Sequence, residues 1–231
     1  MEYITRTARK TDTESLKRLW DECFPDDTDS FRDFFFERIY DADSTLVCTA
    51  DGEIASMLHM LPYEFSTPAG VLSAKYIYGV ATGKDYRNRG LAGNLLLSAE
   101  DSCDFTVLIP QDEQLFALYK KFGYSESIYC GNGRKDSNGR RAVYADIPML
   151  NSVYEKSLCG FIHPVRSEKD WKIIIEEYKI CLCDDGYFCN EESFPTHDAS
   201  ARRIGLAKTI TSSAKKIFSE CGRRYMNLMH N

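Results

Sequence analysis

The chain has 231 residues, of which 43% are hydrophobic and 28% charged, and its formal net charge is −6 at neutral pH. Those proportions belong to a globular protein with enough apolar mass to bury a substantial core, as one large domain or two small ones. The acidic balance excludes a general nucleic-acid binder, no apolar run is long enough to span a bilayer, and nine scattered cysteines suit core positions in a reducing compartment better than a disulfide framework.

Met1-Glu-Tyr-Ile-Thr-Arg6 has no apolar stretch of the signal-peptide kind, so the expected location is cytoplasmic. Tyr3 to Arg6 reads as a first strand. Thr11-Asp-Thr-Glu14 matches a capping box for a helix with Leu16, Leu19, Trp20 and Cys23 at helical spacing. Pro25-Asp-Asp27 ends it, and Phe31, Phe34, Phe35 and Ile39 mark a second helix. Strands over Ser44–Ala50 and Glu53–Leu61 flank Asp51-Gly52, a hairpin turn that exploits the ability of glycine to take positive φ. A further strand is expected over Lys75–Ala81.

The next stretch joins that strand to an apolar helix through a turn carrying Arg87-x-x-Gly90-x-Ala92. A helix start leaves backbone N–H groups without intrahelical partners and carries partial positive charge, so it stabilises an anion. Gly90 and Ala92 leave room for phosphate oxygens to approach, and Lys84, Arg87 and Arg89 add full charges. This is a site for a pyrophosphate. The pattern alone also suits an ordinary turn, or a nucleotide binder, although the Gly-Lys-Ser/Thr ending of a P-loop is missing.

Downstream lie a strand, Phe105–Ile109, and a helix, Leu115–Phe122, that ends in Tyr119-Lys-Lys-Phe-Gly-Tyr124. Gly79-Val-Ala-Thr82, Tyr86-Arg-Asn-Arg-Gly-Leu-Ala92 and Tyr119-x-x-Phe-Gly-Tyr124, in this order, resemble the GCN5-related N-acetyltransferases (GNAT), and among them most the first domain of the enhanced intracellular survival type. The resemblance implies an α/β GNAT fold: a mixed central sheet with flanking helices, whose strands splay apart at the acetyl-CoA site. It implies an acetyl-CoA-dependent N-acetyltransferase in which a primary amine, on a small molecule or a protein, attacks the thioester directly in a ternary complex. By the same likeness, the backbone of Val80, Ala81 and Thr82 would hold the pantetheine arm and polarise the thioester carbonyl. Residues Asn88, Arg89, Gly90, Leu91, Ala92 and Gly93, with Arg87 at the entrance, would hold the pyrophosphate. Tyr119 would be the general acid for the departing thiolate, a role suited to a phenol that keeps its proton at neutral pH. Some aromatic residues of the first two helices would border the acceptor. Gln111-Asp-Glu113 and Thr82-Gly-Lys-Asp85 depart from the usual family pattern.

The base is not legible. His59 and Glu64 are candidates by position, and the C-terminal carboxylate that serves the enhanced intracellular survival enzymes is not carried over to Asn231. The competing reading is a catalytically inactive acyl-CoA-binding or interaction module.

Strands over Ser127–Cys130 and Ala142–Asp146 would close a first domain of residues 1–147, with a boundary near Pro148. The remainder, 148–231, would be a degenerate or incomplete GNAT-like region: Ser167-Glu-Lys-Asp170 caps a helix bearing Trp171, Ile174, Ile175 and Tyr178, and Asp184-Asp-Gly186 turns a hairpin. Ser200–Asn231 holds seven Lys/Arg and one acid. Its stripe of Ile204, Ala207, Ile210, Ala214, Ile217 and Phe218 predicts a basic helical tail, read as a solvated face or a dock for the acidic body. Cys181-x-Cys183, Cys189 and His197 do not have zinc-ribbon spacing, and the cysteines are read as strand residues packed in the core, so no metal is expected.

Overall fold

The computed structural model describes residues 2–131, 139–178, 180–183, 186–189, 192–194 and 202–227. Four strands follow one another antiparallel: β1 (Tyr3–Thr7), β2 (Thr45–Ala50), β3 (Glu53–Thr67) and β4 (Gly70–Thr82). The β2–β3 turn is made by Asp51 and Gly52, both at positive φ, so the hairpin forms where the Asp-Gly pair predicts it. β5 (Phe105–Leu108) then runs parallel to β4, and β6 (Glu126–Cys130) lies further across the sheet.

From here the chain leaves the sheet. β7 (Arg140–Arg141), β9 (Ile180–Cys183), β10 (Gly186–Cys189) and β11 (Glu192–Phe194) form a second, four-stranded sheet, while β8 (His163–Pro164) pairs with β3. The chain returns as β12 (Arg202–Thr209), which inserts between β5 and β6, antiparallel to both. The main sheet thus runs β1-β2-β3-β4-β5-β12-β6, and residues from both sides of the expected boundary near Pro148 share it.

This corrects the helix predicted through Ile204 and Ala207. Residues 202–209 are a strand because β5 and β6 each present a row of unpaired N–H and C=O groups that only a strand can satisfy. Leu206 and Ala207 are fully buried, and Gly205 lies so close to β5 that a Cβ there would sit 2.6 Å from the Leu108 carbonyl oxygen. The helical part of the stripe starts later, at Ser212. The basic residues do dock on the acidic body: Arg203 pairs with Glu113 (2.9 Å), Lys208 with Glu100 (2.5 Å) and Arg224 with Glu126 (3.0 Å).

Helices cover both faces of the main sheet. α1 (Thr13–Cys23) and α2 (Asp29–Arg38) lie on one face, where Trp20 and Phe35 join the core of β3 and β4. The capping box expected from Thr11 and Glu14 is replaced by Asp12, whose carboxylate accepts the Arg9 amide at 2.7 Å and the Arg6 guanidinium at 2.6 Å. α3 (Leu91–Ser98) and α4 (Glu113–Lys121) cover the opposite face through Leu95, Leu96 and Phe116. α5 (Ile147–Ser157) and α6 (Glu168–Glu177) build a separate core around Tyr154 and Trp171, and α7 (Ser212–Glu220) returns Phe218 to the first core. Ser167 and Asp170 form the predicted capping box of α6, with Asp170 accepting the Ser167 amide at 2.7 Å and Ser167 Oγ accepting the Asp170 amide at 3.1 Å. The strand expected over Ala142–Asp146 is instead the two-residue β7 followed by a 3-10 turn at Tyr144–Asp146.

Candidate active site

β4 and β5 stay paired over only three positions, Ala74 with Phe105, Lys75 with Thr106 and Tyr76 with Val107. Beyond them the strands part, leaving a cavity of about 270 Å³ that reaches both faces of the sheet, with Trp20, Phe24 and Asp27 on one side and Leu115 and Tyr119 on the other. The parting follows from sequence. Gly79 has φ +56, and the β3–β4 register slips between Met57 and His59, which is a bulge that turns β4 away from its neighbour. On the other strand Pro110, which has no N–H to donate, lines the gap.

Val80 lines this gap. Ala81 and Thr82 do not: the Ala81 carbonyl accepts Ser56 Oγ at 2.7 Å, and the Thr82 carbonyl accepts Arg87 Nε at 3.2 Å and the Cys23 thiol at 3.5 Å. Of the three backbone contacts expected for the pantetheine arm, the geometry exposes the first and commits two carbonyls elsewhere.

After β4 the chain makes a 3-10 turn at Lys84–Tyr86 and enters α3 through Asn88 at φ +62 and Gly90 at φ +77. The first helical bond is Asn94 N–H to Gly90 O at 3.0 Å, so the amides of Leu91, Ala92 and Gly93 precede any intrahelical donor. No described residue lies within 4 Å of a Cβ built on Gly90, leaving out its two chain neighbours and its own helix backbone. The turn therefore presents bare amides at an open helix start, the arrangement that favours an anion. Gly93 serves differently: a Cβ there would lie 2.6 Å from Phe122 Cε1, so its missing side chain lets α3 approach the end of α4. Leu91 is buried in the same core. The two arginines also separate. Arg89 braces the turn, donating to Tyr3 Oη at 2.6 Å and the Asp85 carbonyl at 2.9 Å, whereas Arg87 donates from Nε to the Thr82 carbonyl, where β4 runs into the turn.

Tyr119 projects from α4 into the gap, 8% exposed, with its ring edge-on to Tyr124 at 5.9 Å. Its hydroxyl has no hydrogen-bond partner among the described residues, and burial pushes its pKa up to about 12. The helix that carries it is capped by Asp112, whose Oδ1 accepts the Leu115 amide at 2.8 Å; the departure at Gln111-Asp-Glu113 thus supplies an N-cap.

A strand gap, an amide-lined helix start and a phenol in the gap coincide here with a family match: a model described as "Acetyltransferase (GNAT) domain" aligns with residues 5–127. The chain belongs to this GNAT family. No curated protein matches it. Among solved structures it is similar to a GCN5-related N-acetyltransferase from Kribbella flavida (TM-score 0.63, 14% identity, covering 96% of this chain and 61% of that one). It is similar also to one from Anabaena variabilis (0.61, 16%, 97% and 64%) and to a conserved protein from Enterococcus faecalis (0.63, 14%, 98% and 65%). At these identities the likeness establishes the α/β GNAT fold with its mixed central sheet, and the chain spans under two thirds of the length of each of the three structures.

Neither sequence-nominated base stands in the GNAT gap. His59 is 1% exposed and enclosed by Trp20, Phe35, Phe36 and Tyr40. Its Nδ1 lies 2.8 Å from Thr45 Oγ1, and that hydroxyl donates its proton to the Asp41 carbonyl at 2.8 Å. Thr45 must therefore accept from Nδ1–H, which leaves Nε2 as a bare lone pair, buried and without a partner among the described residues. Burial pushes its pKa down to about 3, so the ring is neutral at ordinary pH. Glu64 lies outside the gap, on the wall of a second cavity beside α6.

Trp20, an aromatic residue of the first helix, lines the GNAT gap, and so do Phe24, Asp27, Tyr76 and Tyr78, which were not singled out for it. Asp27 is held by Trp20, whose Nε1–H donates to Oδ2 at 2.9 Å. The available signal was the Pro25-Asp-Asp27 break between two aromatic-rich helices.

Among the described residues no group of three or more His, Cys, Asp or Glu is placed to hold a metal ion, and no helix is long and apolar enough to cross a membrane. Cys181 is buried, while the side chains of Cys183 and Cys189 and all of His197, like Asn231, lie outside the described residues.

Proposed function

We propose that the chain is an acetyl-CoA-dependent N-acetyltransferase acting on a primary amine, of a small molecule or of a protein, by direct attack in a ternary complex. The observation that carries this is the gap between β4 and β5, which opens to both faces of the sheet with Tyr119 on one wall and the carboxylate of Asp27 on the other. A donor entering from the α3 side would lay its pyrophosphate on the amides of residues 91–93 near Arg87 and run its arm past Val80. An amine would enter from the Trp20 side, where Asp27 favours a cation. Once the ammonium has lost a proton to solvent, the nitrogen adds to the thioester carbonyl carbon and the carbon–sulfur bond breaks. The thiolate takes the Tyr119 proton, the nitrogen gives up its second proton to solvent and Tyr119 regains one from solvent, leaving amide and free coenzyme A. The neutral, enclosed His59 keeps its imidazole out of this exchange.

The order of the Gly79, Tyr86 and Tyr119 motifs supports placing the chain near the enhanced intracellular survival type, and its free cysteines support a cytoplasmic setting. The absence of either nominated base from the gap favours, as the second reading, an acyl-CoA-binding module without turnover. Release of coenzyme A with a panel of primary amines separates the two. Turnover that collapses in Tyr119→Phe while acetyl-CoA binding persists, and a raised KM for the amine in Asp27→Asn, support the enzyme. Tight acetyl-CoA binding with no amine-dependent release supports the module.

A further inference from the structure

A second cavity, of about 310 Å³, lies where the end of α2, the middle of β3 and the start of α6 meet. Its apolar wall includes Leu61, Ile39 and Ile173, and four charged side chains stand around it. Two are already committed. Arg38 pairs with Glu176 at 2.6 Å, and Asp170 accepts from Ser167 and from Tyr63 Oη. The other two, Glu64 on β3 and Lys169 on α6, have side chains with no partner among the described residues and are not paired with each other. One uncommitted anion and one uncommitted cation thus stand on different elements around an apolar surface.

We infer that this cavity binds a small zwitterion of the α-amino-acid class with an aliphatic side chain. Its ammonium lies against Glu64, its carboxylate against Lys169, and its side chain against the apolar wall. Both charged groups are exposed, so they stay hydrated until a ligand arrives, and a molecule with only one of the two charges would gain one of the two ion pairs. The ligand bridges β3 and α6, so it also ties the main sheet to the α5–α6 core. The site is independent of the acyl-transfer reading: it shares no lining residue with the gap.

The test is calorimetric titration of the full chain with L-leucine, L-valine and L-methionine. The two half-molecules of leucine, 3-methylbutylamine and 4-methylpentanoate, are titrated in parallel. Saturable binding of at least one amino acid is expected, weakened about tenfold or more for each half-molecule and in each of Glu64→Gln and Lys169→Met. Acetyl-CoA binding measured on the same variants reports that they are folded, and Tyr119→Phe should bind the amino acid like the parent chain. No binding by the three amino acids, half-molecules that bind equally well, or folded variants that bind like the parent would each overturn the assignment.

Discussion

Gly79 passes so close over the imidazole of His59 that a Cβ on the glycine would come within 2.9 Å of Cδ2, and within 3.1 Å of Trp20 Cζ3 on the other side. The same residue holds φ +56, so both its backbone and its lack of a side chain are required for the bulge. Gly79→Ala should lose about 2–4 kcal/mol, combining left-handed strain with overpacking. Urea unfolding checks this. A loss below about 0.5 kcal/mol would show that the bulge does not depend on this contact.

His59 makes stability depend on pH in a defined window. Its folded pKa of about 3 lies below the ordinary 6.5, so between those values the unfolded chain binds the extra proton, and stability rises with pH. The contribution is complete above the ordinary value and is lost as pH falls toward the folded one. Urea midpoints taken from neutral pH down to about pH 4 should show a slope approaching about 1.4 kcal/mol per pH unit that is absent in His59→Gln. Equal slopes in the two proteins would mean that the ring is reached by protons in the folded state.

With the Tyr119 pKa near 12, its proton stays in place throughout the neutral and mildly alkaline range. If it is the acid, kcat should show no alkaline fall below about pH 10, because an unperturbed phenol would begin to ionise there and this one does not. A descending limb near pH 8 that disappears in Tyr119→Phe would contradict the burial of the hydroxyl.

The two arginines of the turn should fail differently. Arg87→Gln is expected to raise the Kd for acetyl-CoA about tenfold, with an effect that shrinks in high salt. Arg89→Ala removes the brace to Tyr3 and Asp85 and should instead lower the unfolding midpoint, with a smaller change in Kd. Isothermal titration alongside thermal unfolding of both variants distinguishes them, and interchangeable effects would show that both side chains meet the anion.

What could be read in the sequence was local. The turn from Arg87 to Gly93 and the Tyr119–Tyr124 ending each lie within a few residues, so their geometry follows from adjacent glycines and helical spacing. The Asp51-Gly52 hairpin and the Ser167–Asp170 box were legible for the same reason. The misreadings of Arg202–Thr209 and of His59 concern partners distant in the chain. Arg202–Thr209 has a stripe that a helix would also satisfy, and only the unpaired edges of β5 and β6, far upstream in the chain, decide for a strand. His59 on a strand is equally compatible with a reactive edge or an aromatic cage, and helices remote from it supply the cage. Asp27 gained its place only once the break after α1 folded back on Trp20.

Because β12 alone joins β5 to β6 among the described residues, a shortened product ending at residue 147 would carry the whole family match and both halves of the gap, yet it would leave β6 with no neighbour and β5 with one raw side. Such a fragment would invite strand exchange between copies, so recombinant trimming to the matched region risks a tangled preparation.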